Sequence, residues 1–201
     1  MGQICCAIKR FIVHNSIKDA YTEKLIEKIK ELKHGSALDT EAVITCLISD
    51  TAAKRIEGQI DKTVKQGAKL VYGGTIDGAH IEPAVLTGVT KDMDVAKDME
   101  IFGPVFPIIG FDDDDEAIEI ANNSIYGLSG GILTKDIMKG LDLANKMQAS
   151  GVVVNGCGTY RHNEQPWGGY KASGVGNEGV LTTVEEYCRI KTFSILGAFP
   201  R

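Results

Sequence analysis

The chain has 201 residues and a formal net charge of −5, with 43% hydrophobic and 24% charged residues. This composition is ordinary for a globular protein that buries a core, and the length suits one sizeable domain or a large and a small one. Because there is no basic surplus to neutralise phosphates, we expect no nucleic-acid partner. No apolar run reaches membrane-spanning length and no basic leader precedes one, so we expect a cytoplasmic protein without a membrane partner.

The cysteines are scattered along the chain without a repeating spacing, at Cys5, Cys6, Cys46, Cys157 and Cys188. This odd, irregular set argues against a disulfide framework and favours a reducing compartment. Zinc sites in proteins are usually indicated in the sequence by a CxxC pair or by closely spaced histidines, and the sequence has neither. We therefore expect no metal site.

The first third of the chain contains two predicted strands, each followed by a predicted helix. Alternating β-branched and aromatic residues predict a strand over 7–14. The next helix, over 15–35, has Ser16 as its expected N-cap. Its apolar stripe is expected at Tyr21, Leu25, Ile29 and Leu32.

A short buried strand is predicted over 42–49, and a second helix, with Asp50 as its cap, over 50–67. The inner stripe of this helix is expected at Ala53, Ile56, Ile60 and Val64. Further strands are predicted over 69–74, 83–89, 105–111, 130–134, 151–156 and 185–196, with helices over 112–123 and 135–148. Strands that alternate with helices indicate an α/β fold, here a largely parallel open sheet flanked by helices.

Two adjacent cysteines follow a Gly-Gln pair in "GQICC", residues 2–6. A cysteine attacks as its thiolate, and an ordinary cysteine is only a few per cent ionised at neutral pH, so a nucleophile needs an activating environment. The nearby Lys9 and Arg10 could supply positive charge. Taken alone, however, this stretch favours ordinary cysteines packed as small core residues, which most cysteines are.

A second unusual stretch is "MEIFGPVFP", residues 99–107. Its Gly-Pro turn would fix the orientation of Glu100 and Phe102, so that a carboxylate could bind sugar hydroxyls while a ring packs a flat heterocycle. Taken alone, the stretch favours the alternative, a plain turn that leads into a strand and buries its phenylalanine. The glycine-rich "PWGGYKASGVGNEG", residues 166–179, fits no phosphate-binding spacing and favours a surface loop that shapes a cleft.

Together these stretches, with "YGLSGGILTKD" and "VVVNG", resemble the aldehyde dehydrogenase superfamily over nearly the whole chain. The resemblance implies that Cys5 is the catalytic nucleophile and Cys6 its non-catalytic neighbour. It further implies that Glu100 and Phe102 contact the ribose and nicotinamide of NAD or NADP.

The resemblance also places Trp167 at the substrate tunnel, and Arg161 and His162 at its mouth. We expect Arg161 and His162 to be either solvated loop residues or a binding site for an anionic substrate tail. Asn155, in "VVVNG", is expected to tie loops together rather than to act in catalysis.

The implied reaction is oxidation of a small aldehyde to a carboxylic acid through a cysteine thiohemiacetal and thioester, with transfer of a hydride to NAD(P)⁺. The family's coenzyme-binding domain, oxyanion asparagine and general-base glutamate have no counterpart in these 201 residues. We therefore expect little or no dehydrogenase activity and no bound cofactor from this chain alone. Alternatives are an NAD-independent thiol esterase acting through Cys5, or a non-catalytic binding or assembly module.

The resemblance divides the chain into a nucleophile-bearing domain, 1–184, and a C-terminal oligomerisation strand with its tail, 185–201. An apolar strand that lacks its neighbours presents unpaired backbone groups and promotes self-association. We therefore expect a homo-oligomer.

Overall fold

The computed structural model describes residues 1–197, which contain five α-helices and twelve short strands. The helices are α1 (Lys18–Lys30), α2 (Asp50–Lys65), α3 (Asp114–Asn122), α4 (Ile137–Lys146) and α5 (Val180–Tyr187). The first six strands are β1 (Phe11–His14), β2 (Lys69–Tyr72), β3 (Ile76–Asp77), β4 (His80–Ile81), β5 (Ala84–Val89) and β6 (Val105–Phe111). The other six are β7 (Tyr126–Gly127), β8 (Ser129–Ile132), β9 (Gly151–Val154), β10 (Trp167–Gly168), β11 (Tyr170–Lys171) and β12 (Asn177–Glu178).

The main sheet has four strands in the order β1-β6-β5-β2. Strand β6 pairs in parallel with β1 and with β5, whereas β2 is an antiparallel edge strand. A separate parallel pair joins β8 to β9. These pairings confirm the predicted α/β fold with a largely parallel sheet flanked by helices.

The main sheet is buried on both faces, which explains why β5 and β6 are nearly continuous apolar runs. On one face, Val85 and Ile108 pack with Ile29 of α1. On the other face, Leu86 and Ile109 lie in a larger cluster to which α2 and α3 contribute. The sheet therefore forms a rigid platform whose strand ends can hold loops in place.

Helix α2 forms where it was predicted, but its cap and its stripe differ by one residue. Ser49, not Asp50, is the N-cap, and its side chain accepts a hydrogen bond from the backbone N–H of Ala52 at 3.1 Å. Val64 is 39% exposed, and the adjacent Thr63 is buried in its place. Thr63 can be buried because its hydroxyl donates to a backbone carbonyl within the helix.

The predicted cap of α1 was wrong. The residue before the helix is Ile17, which makes no side-chain capping bond. The hydroxyl of Ser16 instead lies 2.8 Å from Nδ1 of His14. The hydroxyl is thus engaged by the preceding strand end rather than by the first turn of the helix.

The strand predicted over 42–49 was also wrong. Ile44 forms an isolated bridge with His34, and Cys46 forms another with His80. Because this segment pairs one residue at a time with two different partners, no continuous ladder develops.

The predicted C-terminal strand is not confirmed. Its first residues complete α5, which ends at Tyr187, and residues 188–197 form no strand. A strand needs a neighbour for its backbone groups, and the described part of the chain provides none there. The division at residue 184 falls inside α5 and stays a prediction. Among the described residues, no helix is long and apolar enough to cross a membrane.

Candidate active site

Cys5 and Cys6 lie in a tight turn, which we call the nucleophile turn (residues 2–7). The turn is closed by a hydrogen bond from the N–H of Ala7 to the carbonyl of Ile4 at 3.1 Å. The side chain of Cys5 is exposed, whereas Cys6 is partly buried. The turn therefore presents Cys5 outward.

The residues before Cys5 anchor the nucleophile turn to the segment that precedes α2. The side-chain carbonyl of Gln3 accepts a hydrogen bond from the N–H of Ile48 at 3.0 Å. The sulfur of Met1 lies 3.4 Å from the N–H of Thr45, and its side chain packs against the main core. This irregular segment thus gives the nucleophile turn two fixed attachments.

A contact between two glycines brings the nucleophile turn against the turn at Glu100–Pro104, the FGP turn. A Cβ placed on Gly2 would come within 2.5 Å of the carbonyl oxygen of Gly103, and Gly2 has a φ of 71°. A Cβ on Gly103 would in turn lie 2.5 Å from Cδ1 of Ile56. Gly2 requires glycine because its φ is positive and a backbone atom blocks a Cβ, whereas a Cβ at Gly103 would force the end of the Ile56 side chain to shift.

The two turns line the same surfaces. A recess of about 30 Å³ is lined by Cys5, Lys9, Glu100 and Phe102, among others. These four residues also line a larger cleft of about 740 Å³, and Tyr126 is another of its lining residues. The predicted nucleophile and the two predicted cofactor contacts are therefore brought together.

The surroundings of Cys6 perturb the pKa of its thiol. Burial, and then the neighbouring Cys5, raise the pKa of the Cys6 thiol above its ordinary value. A raised thiol pKa reduces the thiolate fraction at neutral pH and so lowers reactivity. The raised pKa therefore argues against Cys6 as the nucleophile.

The FGP turn displays Phe102 at the edge of the cleft. Phe102 adopts a φ of 55°, which is uncommon for a residue other than glycine, and 36% of its side chain is exposed. The side chain of Gln59 on α2 donates to the backbone carbonyl of Glu100 at 3.0 Å and ties the turn to the helix. No described residue forms a hydrogen bond with the Glu100 carboxylate, which leaves that group available to a ligand.

The two basic residues after the nucleophile turn differ in their contacts. Arg10 donates to the carbonyls of Ala96, Ile120 and Ala121 at 3.1, 2.7 and 2.8 Å. The last two carbonyls lie near the C-terminal end of α3, where a cation is favoured. Arg10 is thus a structural residue, whereas Lys9 lines the cleft. From sequence, Lys9 was expected only as a nearby positive charge, and its position four residues after Cys5 was the available signal.

The residues predicted to contact substrate lie elsewhere. Trp167, Arg161 and His162 are not among the residues that line the cleft at Cys5. Arg161 forms an ion pair with Glu178 at 3.3 Å, and its guanidinium lies 5.3 Å from the centre of the Trp167 ring. His162 is exposed. Arg161 and Trp167 thus contact each other, and the role of all three residues in substrate binding stays a prediction.

Asn155 has the structural role that was expected. Its side-chain carbonyl accepts a hydrogen bond from the N–H of Thr134 at 2.8 Å, and its own φ is 58°. This bond ties the loop after β9 to the loop after β8.

Residues 1–193 match the model of the aldehyde dehydrogenase family. The chain belongs to this family. It is 41% identical over 194 residues to a lactaldehyde dehydrogenase from Methanococcus vannielii, covering 96% of this chain and 41% of the relative. It is 38% identical to a 3-sulfolactaldehyde dehydrogenase from Priestia aryabhattai, covering 92% of this chain and 39% of the relative.

Solved structures of aldehyde dehydrogenases superpose well on the chain. Betaine aldehyde dehydrogenase from Staphylococcus aureus in complex with NAD⁺ matches with a TM-score of 0.89 and 35% identity, over 100% of this chain and 42% of that one. Glyceraldehyde-3-phosphate dehydrogenase GapN from Methanocaldococcus jannaschii, complexed with NADP, matches with a TM-score of 0.87 and 38% identity, over 92% and 40%. The chain thus spans about 41% of the length of the curated relatives that it matches.

Proposed function

We propose that this chain supplies the nucleophile-bearing part of an NAD(P)⁺-dependent aldehyde dehydrogenase, with Cys5 as the nucleophile. The observation that carries the proposal is the contact between Gly2 and Gly103, which brings Cys5 beside Glu100 and Phe102 at one cleft. Membership of the aldehyde dehydrogenase family supports the same assignment.

The proposed chemistry begins at the Cys5 thiolate. Its sulfur attacks the carbonyl carbon of the aldehyde, and the carbonyl oxygen takes up negative charge as the thiohemiacetal forms. The backbone N–H of Cys5 makes no hydrogen bond to another described backbone group, so it is free to donate to this oxygen. Loss of a hydride from the former carbonyl carbon leaves an acyl thioester on Cys5, which water then hydrolyses.

Glu100 and Phe102 fit a role in holding the cofactor. The Glu100 carboxylate has no hydrogen-bond partner among the described residues and can accept bonds from ribose hydroxyls. The partly exposed ring of Phe102 offers a flat apolar surface beside it. When bound, NAD(P)⁺ would accept the hydride.

We further propose that dehydrogenase turnover depends on the portion of the relatives that these 201 residues do not match. General-base catalysis typically contributes about 10²–10⁴ in rate and an oxyanion donor about 10²–10³. The sequence resemblance implies that the general-base glutamate and the oxyanion asparagine both belong to the unmatched portion. This chain alone should then show negligible dehydrogenase activity and no tight cofactor binding.

The proposed substrate class is a small aldehyde that carries a polar group, by analogy with the lactaldehyde and 3-sulfolactaldehyde dehydrogenases among the relatives. An anionic tail could be bound by Arg161. Because Arg161 is paired with Glu178, such a tail would have to displace that carboxylate.

A thiol esterase activity through Cys5 remains the second candidate function. It is supported by the exposure of Cys5 at the cleft, since an activated ester needs only an accessible nucleophile and no cofactor. A purely non-catalytic assembly role predicts no such reaction. Hydrolysis of an activated ester that is lost in the variant Cys5→Ser would therefore favour the esterase over the assembly role.

The test of the nucleophile is competitive alkylation. The native chain is treated with limiting iodoacetamide near neutral pH, and the modified cysteines are mapped by mass spectrometry. We expect Cys5 to react well ahead of Cys6 and of the exposed Cys46 and Cys188, which serve as internal controls for accessibility. Equal labelling of Cys5 and the exposed controls would show that the cleft does not activate Cys5.

We also propose that the chain forms a homo-oligomer through its C-terminal segment, where Ile190, Phe193 and Leu196 are largely exposed. The cytoplasm remains our proposed location. All five cysteines are free, in keeping with a reducing compartment.

A further inference from the structure

Lys9 is a nucleophilic side chain at the cleft that the proposed reaction does not use. It lines both the small recess and the larger cleft, in each case together with Cys5. The recess has a volume of about 30 Å³. Lys9 and Cys5 therefore face a common space.

The ammonium group of Lys9 lies 4.9 Å from the centre of the Tyr126 ring, on the cleft surface. It forms no ion pair or hydrogen bond with a described residue. The other cleft cations are engaged: Arg10 by backbone carbonyls, and Lys139 by Asp114 at 2.7 Å. Lys9 is thus the cleft cation whose nitrogen is free to react.

Partial burial also makes Lys9 easier to deprotonate. Burial, followed by the charge of Arg10, lowers its pKa to about 8, while Glu100 and Asp98 act in the opposite direction. An ordinary lysine has a pKa near 10.4, so at pH 8 it carries well under 1% of the neutral amine. Lys9 is about half neutral at that pH, and the neutral amine is the nucleophilic form.

We propose that Lys9 accepts acyl groups from the Cys5 thioester, so that the chain acylates itself at the cleft. The amine nitrogen of Lys9 attacks the thioester carbonyl, the C–N bond of an amide forms, and the C–S bond breaks. The electron pair of that bond leaves with sulfur, and the proton lost by nitrogen is taken up by the Cys5 thiolate. No oxidant or other co-reactant is needed.

The inference rests on the proposed function, because it requires Cys5 to carry an acyl group. Acyl transfer to Lys9 competes with hydrolysis of the thioester and regenerates the Cys5 thiol. It also removes the positive charge beside Glu100. A stable amide on Lys9 would therefore form only after Cys5 has been acylated.

The experiment uses the native chain and p-nitrophenyl acetate, an activated ester. After reaction at pH 8, the protein is digested and acetyl groups are mapped with and without hydroxylamine, which cleaves thioesters but not amides. We expect hydroxylamine-resistant acetyl on Lys9 at least tenfold above that on exposed lysines such as Lys24. The variant Cys5→Ser should lower Lys9 acetylation at least tenfold, whereas the control Cys188→Ser should not.

Two further measurements sharpen the test. The variant Lys9→Arg keeps the charge, and it should leave only the hydroxylamine-sensitive acetyl on Cys5. Across a pH series, the Lys9 amide should reach half of its maximal rate near pH 8, because the neutral amine increases as the pH rises through the pKa.

The remaining outcomes test separately the acyl transfer to Lys9 and the assignment of Cys5 as the nucleophile. Acetyl on Cys5 without acetyl on Lys9 overturns the inference and leaves the nucleophile assignment standing. Equal acetylation of Lys9 in native protein and Cys5→Ser shows direct attack by the ester and also overturns it. Acetyl on neither residue overturns both.

Discussion

Two regions of the chain, up to and beyond Ile120, differ in how deeply their apolar side chains are buried. Every large buried hydrophobic side chain of the described chain lies between Val13 and Ile120. Beyond Ile120, the helices and strands contribute partly exposed side chains, and α5 contains no buried residue. We call residues 13–120 the first region and the residues after Ile120 the second region. The nucleophile turn packs against the first region, whereas the C-terminal segment belongs to the second.

This difference in burial determines which segments are held in place by the core of the chain. The position of Cys5 depends on core packing. The nucleophile turn that carries Cys5 contacts Gly103 through Gly2, and Gly103 in turn contacts the buried Ile56. The segment after α5 has no such support: Ile190 and Leu196 are almost fully exposed. The nucleophile turn is thus supported by the core of the chain, while the apolar side chains of the C-terminal segment are left uncovered within the described residues.

The largest expected effect comes from truncating the side chain on which the FGP turn rests. Replacing Ile56, which is fully buried, by Ala should lower the free energy of unfolding by about 2–5 kcal/mol, because it leaves a cavity in the core. Urea denaturation measures this loss. The matched variant Leu181→Ala removes a side chain that is 68% exposed and should change stability by less than about 0.5 kcal/mol. Comparable losses would contradict the division into two regions.

The next effect isolates the contact between the two turns. Gly103→Ala forces a Cβ against Ile56 and should cost about 1–3 kcal/mol, while displacing Cys5 and slowing its alkylation. Denaturation and iodoacetamide kinetics measure the two consequences. The control Gly58→Ala, on an open face of α2, should instead stabilise the chain by about 0.5–1 kcal/mol. Unchanged Cys5 reactivity in Gly103→Ala would show that the glycine contact does not position the nucleophile.

Self-association should depend on the second region alone. Replacing both Ile190 and Phe193 by Asp is expected to weaken association at least tenfold, or about 1.4 kcal/mol, because charge is unfavourable in an apolar interface. Light scattering across a dilution series measures the change. The control Leu38→Asp places a charge at an exposed apolar residue of the first region and should leave association intact. A native chain that is monomeric at all concentrations would refute the proposal.

Local patterns were sufficient to predict most of the fold. The continuous apolar runs of β5 and β6 and the helical stripe of α2 follow directly from side-chain periodicity, and the structure has all three elements where they were expected. At the site, the family resemblance singled out Cys5, Glu100 and Phe102, and these residues line one cleft.

The failures arose where tertiary contacts override local preference. Residues 42–49 have the composition of a strand, yet they pair with His34 and His80 in single bridges. Residues 185–187 belong to a helix although the segment that follows them is rich in strand-forming residues. Likewise, the contact between Gly2 and Gly103 joins distant parts of the chain, and nothing in either local sequence reveals it.

The smallest expected effect tests whether the second region contributes to substrate binding. Arg161→Ala removes an exposed ion pair with Glu178 and a contact with the Trp167 ring, so it should cost no more than about 1 kcal/mol. If Arg161 also binds an anionic tail, the variant should slow hydrolysis of an anionic nitrophenyl ester at Cys5 several-fold more than that of the neutral acetate. The control Glu178→Gln keeps the ring contact, frees the guanidinium and should favour the anionic ester. Equal changes for both esters would place Arg161 outside the substrate site.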